Sequence, residues 1–258
     1  MDGNRVWKVE TPAGPVIQKF FRPRGGWPRE PLKALFTGLM GRKTSPTAAG
    51  RHATERRLLS LWREAGLDVP AELSAEHPDQ RGPATLVLEH VDGPTLLERV
   101  KRKAGLSRAE RDPLLRRFGQ QWRARHDLAL ARDDASFLQE HGSLGHVLLC
   151  GERMVTFDLE QAYRPGVPVF PVLAKEVANT LRSLHPRVGD ELFDDDLAAL
   201  VEGYGDRERL ALVCDEYLHN PSALRRLLWW CDRKLEARLT RRSSKYTVLE
   251  RLEAVLAR

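Results

Sequence analysis

The sequence predicts an α+β protein in two lobes, a small strand-bearing N-terminal part and a larger, mostly helical remainder. Residues 6–21, VWKVETPAGPVIQKFF, alternate apolar and polar positions on either side of a Pro-Ala-Gly turn, which is a hairpin pattern. From Leu97 onward the chain reads mostly helical, apart from residues 141–171 and a few turns. Between the two parts, ATLVLEHV (84–91) has the composition of a buried strand, and Asp92-Gly93-Pro94-Thr95 breaks it. The division is therefore expected there, with residues 1–92 as a reduced N-terminal lobe and 93–258 as a helical C-terminal lobe.

Composition narrows the function classes. Hydrophobic residues make up 41% of the chain and charged residues 30%, the balance of a globular protein able to bury a core. No apolar run reaches the roughly eighteen residues that a membrane span needs. The opening MDGNRVWKVE lacks the apolar h-region of a secretory signal. The three cysteines, Cys150, Cys214 and Cys231, are far apart and form no C-x-x-C pair. That argues against a disulfide framework or zinc knuckle and fits a reducing cytoplasm. A net charge of +6 and a pI near 9.4 point to an anionic partner such as a nucleotide, nucleic acid, phosphorylated glycan or acidic membrane face.

Taken in chain order, the elements carry a set of chemically suggestive residues. Lys19 alternates with Ile17 and Phe21 along its strand, where a lysine can reach nucleotide phosphates as a point charge. A helix is expected from Ala48 to Ala65, closed by Gly66. On it, Leu58, Leu59 and Trp62 follow Glu55 at helical spacing, so the carboxylate shares the core-facing stripe. A carboxylate there costs free energy unless a cation meets it, and Lys19 is the candidate. The strand ending at Glu89–Val91 would offer backbone groups to an adenine edge.

Two further stretches complete the set. EHGSLGHVLL (140–149) has the outline of an H-x-D, four-residue, Asn loop leading into an apolar strand. MVTFDLEQAY (154–163) alternates Val155 and Phe157 and delivers Asp158 at a strand end, followed by Leu159 and Glu160. A strand-end carboxylate 12 residues after His146 suits a Mg²⁺ ligand.

The order of Lys19, Glu55, LVLEHVDGPTL, HGSLGHVLL and FDLEQAY resembles the protein-kinase-like superfamily. Within it the chain is similar to the lipopolysaccharide kinases, which phosphorylate inner-core heptose or Kdo. Their Gly/Arg-rich insertion before the Glu helix is matched by RPRGGWPREPLKALFTGL, and their turn after it by AGLDVP (65–70). The resemblance covers about residues 6–185 and implies a bilobal kinase-like fold. It implies ATP and Mg²⁺ (or Mn²⁺) as cofactors and a glycolipid or small sugar as acceptor. Lys19 would hold phosphates, Glu55 would hold Lys19, Asp158 would hold the metal, and the backbone of Glu89 and Val91 would meet the base. His146 falls at the loop's metal-ligand position.

The chain also departs from that pattern. Counting back from His146 puts the catalytic Asp position on His141, whereas aligning His141-Gly142 with H-G-D puts Ser143 there. Neither is a carboxylate, and Glu140 stands one residue early. His141 could serve as base in its place, since an imidazole of pKa about 6.5 is largely neutral at pH 7. His146 is a softer ligand than a carboxamide and suits Mn²⁺ or Zn²⁺ better than Mg²⁺. No G-x-G-x-x-G precedes Lys19, so the phosphate-covering loop is expected to be reduced or absent. The short AYRPGVPVFP after Asp158 leaves little room for a protein-substrate platform and favours a small acceptor. The same residues leave open a catalytically impaired pseudokinase, serving as a nucleotide-binding or scaffolding protein in envelope biogenesis.

Residues 221–258 hold ten Lys/Arg and four Asp/Glu, a net +6. LRRLLWWCDRKLEARL within them is amphipathic at helical period, as a peripheral anchor on an anionic inner-membrane face would be. Basic residues without interleaved exposed aromatics offer little to nucleic acid.

Overall fold

Alternation makes the first two strands, and a glycine lets them turn. β1 (Arg5–Thr11) and β2 (Gly14–Phe20) pair antiparallel, with Lys19 opposite Val6 and Ile17 opposite Lys8. Gly14 sits at φ 113°, where a side chain would be strained. β3 (Thr85–Glu89) adds to β2 antiparallel, giving the order β1-β2-β3 with Leu86 opposite Lys19. These coordinates are a computed structural model that describes residues 4–23, 44, 47–78, 82, 84–219 and 243–258. The Gly/Arg-rich insertion before the Glu55 helix lies almost wholly outside the described residues.

α1 (Ala48–Glu64) starts at Thr47, whose hydroxyl accepts from the Gly50 N–H at 3.1 Å. It stops where Gly66 takes φ 79°. Its buried stripe is Arg51, Thr54, Glu55, Leu58, Leu59 and Trp62. A hairpin of β4 (Val147–Cys150) and β5 (Arg153–Thr156) turns at Gly151, φ 55°. The Thr156 N–H donates to the Asp68 carbonyl at 2.9 Å, and Arg153 pairs with both Asp68 and Glu89, each at 2.9 Å.

The chain divides into two compact units: residues 1–93 with 148–167, and residues 94–147 with 168–258. Residues 148–167, which carry Asp158, thus return to the strand-bearing unit, and the ties of Thr156 and Arg153 to Asp68 and Glu89 account for it.

The second unit is built on helices. Among the described residues they are α2 (Leu96–Val100), α3 (Arg108–Ala131), α4 (Val169–Val188), α5 (Asp190–Tyr204), α6 (Arg207–Cys214) and α7 (Lys245–Leu256). α2 and α3 each begin with a capping box, Thr95 with Glu98 and Ser107 with Glu110. α3 and α5 meet backbone to backbone. A Cβ on Gly119 would stand 2.5 Å from the Leu200 carbonyl oxygen, and one on Gly203 2.1 Å from that of Arg116.

One buried carboxylate ties this unit to the loop of interest. Glu176 on α4 receives Arg125 of α3, the Trp122 Nε1–H at 3.1 Å and the Gln139 N–H at 2.8 Å. Asn179 of the same helix donates to the Glu140 carbonyl at 3.1 Å, and a Cβ on Gly142 would strike Thr180 Oγ1 at 2.3 Å. α4 is therefore the bed on which residues 139–142 lie. Among the described residues no helix is long and apolar enough to cross a membrane. Most of the amphipathic basic stretch, residues 221–242, lies outside the described residues.

Burial opposes charge on Glu176, but Arg125 outweighs it and holds the carboxyl at about 2. A carboxylate depressed in the folded state contributes stability that is present above its ordinary pKa of 4.5 and is lost as pH falls through about 2. We predict that Glu176→Gln destabilises the protein by roughly 3–5 kcal/mol near neutrality, because it strands the buried Arg125. In denaturant titrations, the gap between wild type and variant should shrink as pH falls below 4.5.

Candidate functional site

Lys19 is a lysine in a core position. It is 6% exposed and reaches two carboxylates at once, Glu55 Oε2 at 2.7 Å and Asp158 Oδ1 at 2.6 Å. The pairing of strand Lys with helix Glu expected from their apolar-stripe positions is present. Glu55 arrives from α1 and Asp158 from just beyond β5, where φ 65° puts it in the left-handed region that Asp tolerates better than most residues. With that turn, the second acid of the D-x-E also approaches, Glu160 Oε2 standing 3.9 Å from Lys19 Nζ.

Burial works against the Lys19 ammonium, but Glu55 and Asp158 outweigh it and raise its pKa, so it stays charged. Burial lifts the Glu55 carboxyl to about 7, with Asp158 adding to the rise and Lys19 opposing it. The site therefore holds a charged ammonium beside a Glu55 that keeps its proton to higher pH than an ordinary carboxyl.

A cavity of about 490 Å³ opens beside these groups, wholly within the first unit. Val6, Ile17, Leu88, Val91, Leu148 and Phe157 give it apolar walls, and Lys19, Glu55 and Asp158 give it charge. Its size and mixture of walls suit a small organic ligand with an anionic portion. The Glu89 N–H is already committed, donating to the Ala71 carbonyl at 2.8 Å, and the Glu89 carboxylate holds Arg153. Among the described residues, His90 and Val91 have no backbone–backbone hydrogen bond.

The ligand oxygens of Glu55, Asp158 and Glu160 lie within 4.8 Å of one another. Mg²⁺ takes hard oxygens and usually one or two protein carboxylates together with phosphates. Glu55 and Glu160 are buried and engaged by cations, whereas the Asp158 side chain is 34% exposed. These residues fit a Mg²⁺–phosphate group, with Asp158, paired with Lys19 at 2.6 Å, the most exposed of the three carboxylates.

The remaining expected residues fall in the second unit. Glu140 is buried, and its carboxylate stands 3.8 Å from Nε2 of His141, whose side chain is 68% exposed. His146 closes a 3₁₀ turn (Leu144–His146), and its N–H donates to the Ser143 carbonyl at 3.0 Å.

No protein-family model and no curated protein matches the chain. Among solved structures, that of WaaP in complex with acyl carrier protein is similar over 92% of this chain and 86% of that one, with a TM-score of 0.50 and 17% identity. The fold is protein-kinase-like. At that identity the likeness speaks of fold alone, and the α+β kinase-like expectation holds on it.

Arg51, Asn4 and Glu160 belong to the same cluster but carry no role from sequence. Arg51 Nη1 is 3.0 Å from Glu160 Oε2 and 2.6 Å from Asn4 Oδ1. Position 51 lies one helical turn before Glu55 on the same stripe, which was the available signal.

A carboxyl whose folded pKa is raised holds its proton in the folded state at pH values where the unfolded chain has lost it. Glu55 should therefore make the protein less stable as pH rises from about 4.5 to about 7, with no further loss above. Denaturant titrations of wild type and Glu55→Gln across that range should show this slope in the wild type and its absence, after subtraction of the common background, in the variant.

Proposed function

We propose that the chain is an ATP-dependent phosphotransferase acting on a sugar hydroxyl of lipopolysaccharide core or a related glycolipid. The observation that carries the reading is the buried Lys19, held between Glu55 and Asp158 on the wall of an apolar cavity. In it, Lys19 would bind phosphate oxygens, Glu55 would fix Lys19, and the backbone of Glu89–Val91 would meet the base. Asp158 would hold Mg²⁺, which supplies charge neutralisation at the phosphates when bound. His146 would be a further metal or loop ligand.

The base is assigned to His141, with Glu140 beside it. The exposed imidazole can take a proton from a hydroxyl, and the Glu140 carboxylate stands 3.8 Å from its Nε2. Two features support a glycolipid acceptor over a protein. The segment between Asp158 and α4 is short, and basic residues accumulate after position 221. The kinase-like fold shared with WaaP supports the phosphotransfer part of the reading. Association with an anionic membrane face through that basic stretch belongs to this reading.

The test is ATP turnover with Mg²⁺ or Mn²⁺ and extracted glycolipid. His141→Ala should lower turnover by roughly 10²–10⁴-fold with nucleotide affinity nearly unchanged, since a base acts in the transition state. Asp158→Ala should weaken metal–nucleotide binding itself. A wild type that binds Mg·ATP but transfers to no glycolipid would replace this reading with the pseudokinase one. A wild type that binds no nucleotide would remove both.

A further inference from the structure

Four side chains of α4 meet the loop that carries His141, and they fall at helical spacing. Glu176, Asn179, Thr180 and Ser183 are related as i, i+3, i+4 and i+7, one face of the helix. They engage the loop in step. Glu176 receives the Gln139 N–H at 2.8 Å, and Asn179 Nδ2 donates to the Glu140 carbonyl at 3.1 Å. A Cβ on Gly142 would stand 2.3 Å from Thr180 Oγ1 and 2.9 Å from Glu176 Cγ, so this close approach needs a glycine. Ser183 Oγ lies 3.3 Å from Ser143 Oγ, which in turn accepts the Gly145 N–H at 3.1 Å. The backbone is thus held on both sides of His141, whose side chain is 68% exposed.

We propose that Asn179 is a positioning residue for phosphoryl transfer: through the Glu140 carbonyl it sets the direction in which the His141 imidazole meets the acceptor hydroxyl. The inference rests on the assignment of His141 as base. The peptide group is planar, so a donor on the Glu140 carbonyl fixes the plane that also carries the His141 N–H and Cα. The contact of Gly142 with Thr180 fixes the residue that follows. An exposed base has little packing of its own to orient it, so its direction comes from the backbone beneath it. Misplacing such a group by about 1 Å costs on the order of 10²-fold in rate. Glu176 also gathers Arg125 and Trp122, so replacing it disturbs the helical core, whereas the half-buried Asn179 spends its amide on the loop.

The test is a double-mutant cycle on the full chain, reading transfer from Mg·ATP to extracted glycolipid per molecule that binds Mg·ATP. Asn179→Ala should lower kcat roughly 10–100-fold and leave Mg·ATP affinity and the KM for acceptor unchanged, because a misdirected base costs only the transition state. In a His141→Ala background the same substitution should cost less than about twofold, since no imidazole remains to be directed. An equal loss in both backgrounds makes Asn179 structural and overturns the proposal, as does an Asn179→Ala variant with the wild-type kcat. If Asn179→Ala does not fold, Asn179→Asp takes its place in the cycle. It keeps the shape of the side chain, but its carboxylate cannot donate to the carbonyl. If the wild type transfers and His141→Ala costs nothing, His141 is not the base, and this inference falls while the transferase reading stands. A wild type that transfers to no glycolipid removes that reading, and the inference falls with it.

Discussion

The first unit is organised around one ammonium group that has been taken out of water. A buried Lys19 is tolerable only if carboxylates meet it, and they come from two separate parts of the chain: Glu55 from α1, and Asp158 and Glu160 from the turn after β5. The constraint fixes three things together. It sets the rotation of α1, whose stripe must carry Arg51 and Glu55 inward beside Leu58 and Trp62. It requires the left-handed turn at Asp158. It also anchors the start of β1, because Asn4 is held by Arg51 and Glu160.

The second unit repeats the device with the signs reversed. There a buried anion, Glu176, gathers Arg125, Trp122 and the Gln139 N–H. The two clusters differ in a way that bears on function. Glu176 has a cation and neutral donors converging on it, and its carboxyl is held at about 2, as a fixed structural charge would be. Lys19 has more carboxylates than it needs, and Glu55 is lifted to about 7. Among the described residues the carboxylates of this cluster outnumber its cations, and one of them, Asp158, is partly exposed.

Much of this was legible because charge on an apolar stripe demands explanation. Lys19 between Ile17 and Phe21, and Glu55 before Leu58 and Trp62, imply each other from spacing alone. Asp158 was legible from the strand that delivers it. Arg51 was not, because an arginine on a helix is ordinarily solvated and its acceptor Glu160 lies 109 residues away. The use of the Glu89 N–H was hidden too. Residues 71–73 run beside β3 and hydrogen-bond to it without any alternation that would mark them as a strand partner. The base stayed open between His141 and Glu140 for a chemical reason: exposure separates the two side chains, but only an acceptor hydroxyl decides which of them works.

The central claim is that Lys19 is poised to exchange a carboxylate for a phosphate. The most direct measurement is a crystal structure of the protein with Mg²⁺ and a non-hydrolysable ATP analogue. The account predicts that Lys19 keeps Glu55 at ion-pair distance, gives up Asp158 for a phosphate oxygen, and leaves Asp158 on the metal. A nucleotide bound outside the cavity, or a Lys19 still paired with Asp158 beside bound nucleotide, would contradict it.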